Sequence, residues 1–429
     1  MNNSETRYRL RRIAVEGFKS LRNLASIEFG DLTLLAGANS SGKSSLMQPL
    51  LLFKQSLEAR YDPGRLLLGG PNVSLGTARE TLWKGAETFT VILETKEGLF
   101  GELRFRPDQE GYSFLTAENI WGYGDCTLSL RADMAAEIQE AIQGLIRLFK
   151  KWLSATLEFG KGVELNVSSY RGFLALAVGG NADWFPFLPW VIFGEIAKGT
   201  IHIPALRGNP QRRYPYTVPE KQYFPGLFQD YVAGVITRWQ ERKSDQLTGL
   251  WNDLQHIGLT WKVEARRISD TEVELLAGRL QTESDMVNLA DVGFGFSQVL
   301  PVLVALRAAQ PGQLVYVEQP EIHLHPNAQV KLADLLVQAA LRGVQVVVET
   351  HSELILLGIQ KAVAEGKLEP DAVKLHWFER DEEGVTHVQT AELDEEGTFG
   401  DWPVDFSDVA LDAMGAYLDA AAQRRSRQQ

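Results

Sequence analysis

The sequence predicts an α/β protein with a mixed or parallel sheet around a phosphate-binding loop, an N-terminal antiparallel β portion and an inserted α+β lobe. Three observations carry that prediction. Gly37-Ala38-Asn39-Ser40-Ser41-Gly42-Lys43-Ser44 fits G-x-x-x-x-G-K-[ST] and sits between an apolar run, Leu32 to Ala36, and a helix-like stretch, Ser45 to Leu57. Leu314 to Val317 and Val344 to Val348 are continuous apolar runs, the mark of strands covered on both faces. Between these ends, strand-like alternation and helical stripes share the chain without an internal repeat.

Taken in order, Tyr8 to Val15 alternates polar and apolar residues as a half-buried strand does, then turns at Gly17. Ala25 to Phe29 is a second strand and Leu32 to Ala36 a third, so the start is strand-rich. Phe89 to Phe105 predicts paired strands turning at Lys96-Glu97-Gly98. Met134 to Leu153 sets Ile138, Ile142, Leu145, Ile146, Phe149 and Trp152 on one helical stripe, too short for an extended coiled coil. Pro204, Gly208, Pro210 and Pro215 predict an ordered loop over Ile201 to Tyr216, and Leu227 to Asn252 predicts one amphipathic helix. Ala328 to Leu341 is the helix that joins the two buried strands in a right-handed crossover. Lys374 to Phe378 and Val385 to Val388 form a hairpin across Arg380-Asp381-Glu382-Glu383-Gly384, and Asp394-Glu395-Glu396 reads as a further turn. Residues 1–88 and 286–368 then make one head, interrupted by a lobe at 89–285 and followed by an acidic hairpin and helix at 369–429.

A chain of 429 residues with 45% hydrophobic content can bury a large core. No apolar run is long enough to span a membrane and the first residues are polar and arginine-rich, so the expected location is cytoplasmic, with no membrane partner. The single Cys126 excludes internal disulfides and cysteine-based zinc sites. Acidic residues outnumber basic ones 55 to 43, and the net charge of −12 repels nucleic acid. DNA contact is therefore confined to local patches: Arg7 to Arg12; Arg207 with Arg212 and Arg213; Arg238 with Arg242 and Lys243; and Arg424, Arg425 and Arg427.

The loop's chemistry follows from its residue types. Its glycines let backbone N–H groups turn inward as an anion nest, and the following helix directs its positive end at the same phosphates. Gly37, Ala38, Asn39, Ser40, Ser41, Gly42, Lys43, Ser44 and Ser45 are thus the cofactor-binding set, with Lys43 on the β/γ oxygens and Ser44 on Mg²⁺. Mg²⁺ also needs a carboxylate at the end of a buried strand, and Glu318 ends one. Gln319-Pro320-Glu321-Ile322-His323-Leu324-His325-Pro326 follows directly, and Glu349-Thr350-His351-Ser352 ends the next strand. Upstream, Asp291-Val292-Gly293-Phe294-Gly295-Phe296-Ser297-Gln298 reads as a turn freed by two glycines, with Ser297 capping a helix from Val299 to Ala308.

This order and spacing resembles the ABC-type ATPase heads of the RecF and SMC superfamily, within the AAA family ATPases, and most closely the small overcoming-lysogenization-defect-like bacterial ATPases. Phe18-Lys19-Ser20-Leu21 also looks like their first-strand motif, and the run from Gly397 to Phe406, with Asp401-Trp402-Pro403, is similar to an uncharacterised domain appended to a subset of them. The resemblance is weakest between Phe89 and Asp285. It implies ATP and Mg²⁺ as cofactors, Glu318 as metal acid, a switch histidine at His351, and Ser297 facing the ATP of an opposite subunit, so that hydrolysis requires a homodimer. ATP rather than GTP rests on this similarity and on the lack of an Asn-Lys-x-Asp motif. The family's water-polarising position normally holds Glu and here holds Gln319; an amide cannot take the proton, and losing a general base removes roughly 10² to 10⁴ in rate. Either Glu321 takes that role or turnover is slow, and slow hydrolysis with a long-lived ATP-bound dimer is the expectation. Glu318 in place of the family's commoner Asp adds one methylene, which a metal held through a water accommodates. The leucine between His323 and His325 and the lone cysteine favour a dimer-contact loop over a zinc cluster. Arg207 matches a positive position these families keep near nucleotide or lid, either a phosphate contact or a structural ion pair. The expected function is a nucleotide-gated dimer switch in bacterial DNA maintenance or anti-phage defence, acting with a separate effector protein. A non-hydrolysing regulatory scaffold is the alternative; a nuclease is disfavoured because only about eighty residues follow His351 and no D-x-D cluster flanked by strands appears.

Overall fold

The computed structural model describes residues 8–124, 126–132, 164–171, 173–180, 183–187, 191–219, 223–279 and 285–399. The expected helix from Met134 to Leu153, Arg7, the motif Asp401-Trp402-Pro403 and the arginine tail lie outside these residues.

Two six-stranded sheets organise the chain. The first is antiparallel, in the order β2 (Ala25–Glu28), β1 (Leu10–Glu16), β4 (Phe89–Thr95), β5 (Leu99–Pro107), β6 (Phe114–Tyr123) and β7 (Cys126–Arg131). Alternation along these strands drives Ile13, Val15, Val91, Leu93, Leu103 and Phe105 to one buried face. Phe89 lies at the centre of an aromatic cluster there, its ring centroid 4.9 Å from Phe105 and 4.6 Å from Phe114. The strands at 89–105, which the sequence reading assigns to an inserted lobe, pair directly with β1: Leu93 stands opposite Ile13 and Val91 opposite Val15. Alternation fixes which face of a strand is buried, but not which strand lies beside it.

The second sheet runs β11 (Ile201–Ile203), β16 (Leu314–Glu318), β17 (Gln345–Glu349), β3 (Leu32–Gly37), β18 (Val373–Arg380) and β19 (Thr386–Ala391), with all neighbours parallel except the last pair. It is covered on both faces, as its apolar runs require. On one side Leu35, Tyr316 and Val347 join the core shared by α1 (Lys43–Leu57) and the antiparallel sheet. On the other, Leu34, Val317 and Val348 pack with residues of α6 (Phe294–Ala308), α7 (Pro326–Leu341) and α8 (Glu353–Ala364).

Smaller elements complete the described chain. The helix α2 (Ala78–Thr81) is a single capped turn. A three-stranded sheet, β10 (Asp183–Phe187), β9 (Phe173–Gly180) and β8 (Glu164–Tyr170), leads to α3 (Val191–Gly199). The fourth sheet joins β12 (Tyr214–Pro215), β13 (Val263–Arg267) and β15 (Met286–Asn288) to the central β14 (Glu272–Gly278).

Two further expectations change. The segment opening at Ile201 is no loop: Ile201, His202 and Ile203 pair with Val315, Tyr316 and Val317, and the prolines act only afterwards. The single helix expected from Leu227 to Asn252 is broken into a 3₁₀ turn (Phe228–Tyr231), α4 (Val232–Glu241) and α5 (Asp245–His256). Lys243 takes a left-handed φ of 50°, and Ser244 restarts the chain by accepting the Gln246 N–H, so a local cap outweighs continuous amphipathic periodicity.

Candidate functional site

The strand β3 delivers the chain to Gly37, whose φ of 136° suits glycine and where an added Cβ would lie 2.2 Å from Phe378 O. The loop closes at Gly42 (φ 104°), and α1 begins at Lys43 with no side-chain cap and no acidic residue in its first turn. Its N-terminal N–H groups are left for an anion. They border a cavity of about 470 Å³ lined by Lys19, Ser20, Ser40 to Ser45, Gln48, Glu80, Leu82, Glu349 and Arg380. Lys43 is buried; its Nζ donates to Gly37 O at 3.0 Å and Ala38 O at 2.8 Å. Burial lowers its pKa, opposed by the charges of Glu349 and Glu321. From β19, the Thr386 hydroxyl lies 2.7 Å from Ser41 O and 2.8 Å from Ser20 Oγ, tying the loop to the Phe18–Leu21 turn. In that turn Lys19 Nζ donates to Gln48 Oε1 at 2.6 Å.

Strand order decides which acids meet this loop. Because β17 lies between β16 and β3, Glu349 is in register with both Glu318 and Leu35. Ser44 Oγ is 3.0 Å from Glu349 Oε1 and 2.9 Å from Oε2, and the Tyr316 hydroxyl donates to Oε2 at 2.9 Å. Burial first, then the Glu318 charge, raises the Glu349 pKa against the pull of Ser44, Lys43 and Tyr316. Glu318 faces the other way: its Oε1 is 3.1 Å from His202 Nε2, and its Oε2 accepts the Ala205 N–H at 3.2 Å. Burial works to raise its pKa, but His202, the Ala205 N–H and Tyr316 outweigh it and leave it below the usual value. Asn72 Nδ2 donates to both His202 Nδ1 and Gly226 O, each at 3.2 Å, which sets His202 to give its Nε2 proton to Glu318.

The acid-rich turn after β16 is clamped. Gln319 has φ 45° and its N–H donates to Glu349 O at 2.7 Å. Arg207 is buried, with Nη2 donating to Glu318 O at 2.5 Å and Gln319 O at 3.2 Å, while Nε and Nη1 have no hydrogen-bond partner. Of the two readings for Arg207, the ion pair is not made in this conformation; burial pulls its pKa to about 10, against the charges of Glu321 and Glu318. Glu321 Oε1 accepts the His351 N–H at 2.8 Å, and its buried Oε2 is unpartnered. Burial raises the Glu321 pKa, opposed by the His351 and Thr350 hydrogen bonds and by Arg207. His351 is half-buried; burial and the Lys43 charge lower its pKa, partly offset by the Gly37 backbone.

The structure therefore gathers Lys43, Ser44, Glu318, Glu321 and His351 at the ends of three adjoining strands. Ser297 is not a helix cap, because α6 begins three residues earlier at Phe294 behind Gly293, and its hydroxyl instead donates to Phe294 O at 2.8 Å. His323 is exposed against the Phe294 ring at 4.7 Å, whereas His325 caps α7 by accepting the Asn327 N–H. Two of the four basic patches have residues engaged in ion pairs: Arg9 with Asp31 and Arg12 with Glu94 in one, Arg212 with Asp291 and Arg213 with Glu272 in another. Sequence reasoning missed Glu349, Tyr316 and His202. The available signal was an acid beside Thr350-His351-Ser352 and a histidine within the apolar run Ile201 to Ile203.

Oxygen ligands are what a hard divalent ion takes, and Ser44 with the Glu349 and Glu318 carboxylates supplies only oxygens, so this donor set fits Mg²⁺. Among the described residues, no helix is long and apolar enough to cross a membrane.

Comparison with known families finds two matches on this framework. A model described as "AAA ATPase domain" matches residues 9–102, and one described as "AAA domain, putative AbiEii toxin, Type IV TA system" matches residues 203–357. No curated protein matches the chain. Similar solved structures include an SMC head domain from Thermotoga maritima (12% identity, 90% of this chain and 100% of that one, TM-score 0.40). An SMC head bound to the C-winged helix domain of ScpA gives 12% identity over 90% of this chain and 98% of that one at TM-score 0.45. A third, an SMC head with an extended coiled coil bound to the C-terminal domain of ScpA, derived from Pyrococcus furiosus, gives 12% over 90% and 96% at 0.42.

Proposed function

We propose that this chain binds ATP with Mg²⁺ at Gly37 to Ser45 and hydrolyses it slowly as a nucleotide-gated homodimer. The observation that carries this reading is the uncapped start of α1, with buried Lys43, facing the Glu349 carboxylate at the end of the adjoining strand, with Glu318 in register one strand further on. Lys43 leaves its loop carbonyls for the β/γ oxygens, and the α1 N–H groups hold the phosphate chain. Ser44 and Glu318 hold the metal, which when bound withdraws charge from the phosphate oxygens. Gln319 cannot accept the proton of the attacking water, which keeps turnover slow, and the hydrolysis that remains uses Glu321, whose Oε2 has no hydrogen-bond partner, as its base. His351 faces the terminal phosphate, and Ser297 meets the nucleotide of the opposite subunit.

The cellular role proposed is bacterial DNA maintenance or anti-phage defence, cytoplasmic, with a separate effector protein; it rests on motif resemblance. A non-hydrolysing regulatory scaffold is the alternative, in which the amide of Gln319 abolishes hydrolysis instead of slowing it. Phosphate release measured with and without DNA, beside the ATP-dependent change in oligomeric state, separates the two. Slow release together with ATP-induced dimers supports the switch, whereas ATP binding with neither supports the scaffold.

A further inference from the structure

We propose that Glu349 is a direct ligand of the divalent cation beside Ser44, and that Glu318, one strand further away, acts on that cation through water. The inference rests on the reading of an ATP site at the loop and assigns its metal shell.

Position is the first argument. The strand β17, not β16, borders β3, so Glu349 stands next to the loop and Glu318 one strand spacing of roughly 4.8 Å beyond it. The Ser44 hydroxyl contacts both oxygens of Glu349, at 3.0 and 2.9 Å, and has no hydrogen bond to Glu318. An octahedral ion with metal–oxygen bonds of about 2.1 Å places neighbouring ligand oxygens about 3.0 Å apart. Ser44 Oγ and Glu349 already hold that spacing, so a cation can share both without either side chain moving.

Commitment of the remaining groups is the second. Glu318 spends Oε1 on His202 and Oε2 on the Ala205 N–H, and turning it inward would strip two partners from a half-buried carboxylate. Glu349 gives up nothing comparable. Its other donor, the fully buried Tyr316 hydroxyl, donates to Oε2 and also acts on Glu318, and so fixes the carboxylate's orientation, as an outer partner of a metal-binding carboxylate does. Tyr316 is thus a positioning residue, and its ring stacks on His202 at 5.4 Å, which joins the two acids into one packed unit.

The test titrates Mn²⁺ into the full chain saturated with a non-hydrolysable ATP analogue, read by electron paramagnetic resonance, alongside analogue affinity in excess chelator. Wild type should bind the analogue and one Mn²⁺. Glu349→Gln should weaken Mn²⁺ about 100-fold while metal-free analogue affinity stays within about threefold, whereas Glu318→Gln and Tyr316→Phe should weaken it about 10-fold, as outer-shell changes do. Glu349→Asp, which keeps the charge and withdraws the carboxylate, supplies the same comparison if the amide variant melts before the assay temperature. Mn²⁺ affinity unchanged in the Glu349 variants, or lost more in Glu318→Gln, overturns the proposal. Failure of wild type to bind the analogue at all, matched by Lys43→Ala, overturns the underlying ATP reading instead.

Discussion

Replacing Glu321 with Gln tests the proposed base. The amide keeps an oxygen where Oε1 accepts the His351 N–H at 2.8 Å, so the turn should hold, and only the proton-accepting capacity of the free Oε2 is lost. Loss of a general base costs roughly 10² to 10⁴ in rate, or about 2.7 to 5.4 kcal/mol of barrier. The assay is single-turnover phosphate release at saturating ATP, beside an equilibrium ATP titration: the expected result is release slowed at least about 100-fold with ATP affinity within about threefold. A second readout follows from the raised pKa of Glu321. A carboxyl raised by folding stabilises the native state most below its unfolded pKa, and that contribution is lost as pH rises through the folded value. The variant, carrying no charge to bury, should be more stable than wild type at pH 7, and the difference should vanish as the pH falls below about 4. Release within threefold of wild type would refute Glu321 as the base.

Gln319→Glu should raise turnover by restoring an ionisable group to the water-polarising position, checked in the same single-turnover assay; an unchanged or lower rate counts against slow hydrolysis being due to that amide. Lys54, buried in α1, pairs with Glu58 at 2.5 Å and donates to Lys198 O and Phe224 O, so Lys54→Met should cost about 3 kcal/mol in urea denaturation by stranding a carboxylate whose side chain is only 10% exposed. His376 is held neutral between Thr390 Oγ1 and Glu28 O, with burial lowering its pKa from 6.5 to about 4. Its contribution is complete above pH 6.5 and is lost as the pH falls towards 4, by up to about 1.4 kcal/mol per pH unit; His376→Gln should remove that slope from the stability profile.

The residues that read clearly in the sequence are those whose chemistry is local. Lys43 and Ser44 are legible because a phosphate nest needs glycines at fixed spacing, and Glu318 because it ends a continuous apolar run. What stayed hidden depends on lateral neighbours. Glu349 gains its place only because β17 inserts between β16 and β3, and period-two patterning carries no information about strand order. His202 looks like a core histidine until β11 brings it against Glu318. The boundary placed at residue 89 reflects the same limit, since β4 finds β1 across more than seventy residues of chain. Ser297 shows the reverse error: a serine after two glycines has the composition of a cap, yet α6 starts earlier behind Gly293.

Equilibrium binding of labelled ATP with Mg²⁺ to the wild-type chain and to Lys43→Ala bears most directly on the triphosphate site, with circular dichroism confirming that both are folded. The site as built predicts saturable wild-type binding and a loss of at least about tenfold when the buried ammonium is removed. Equal affinity in the two folded proteins, or no ATP bound by either, would contradict it.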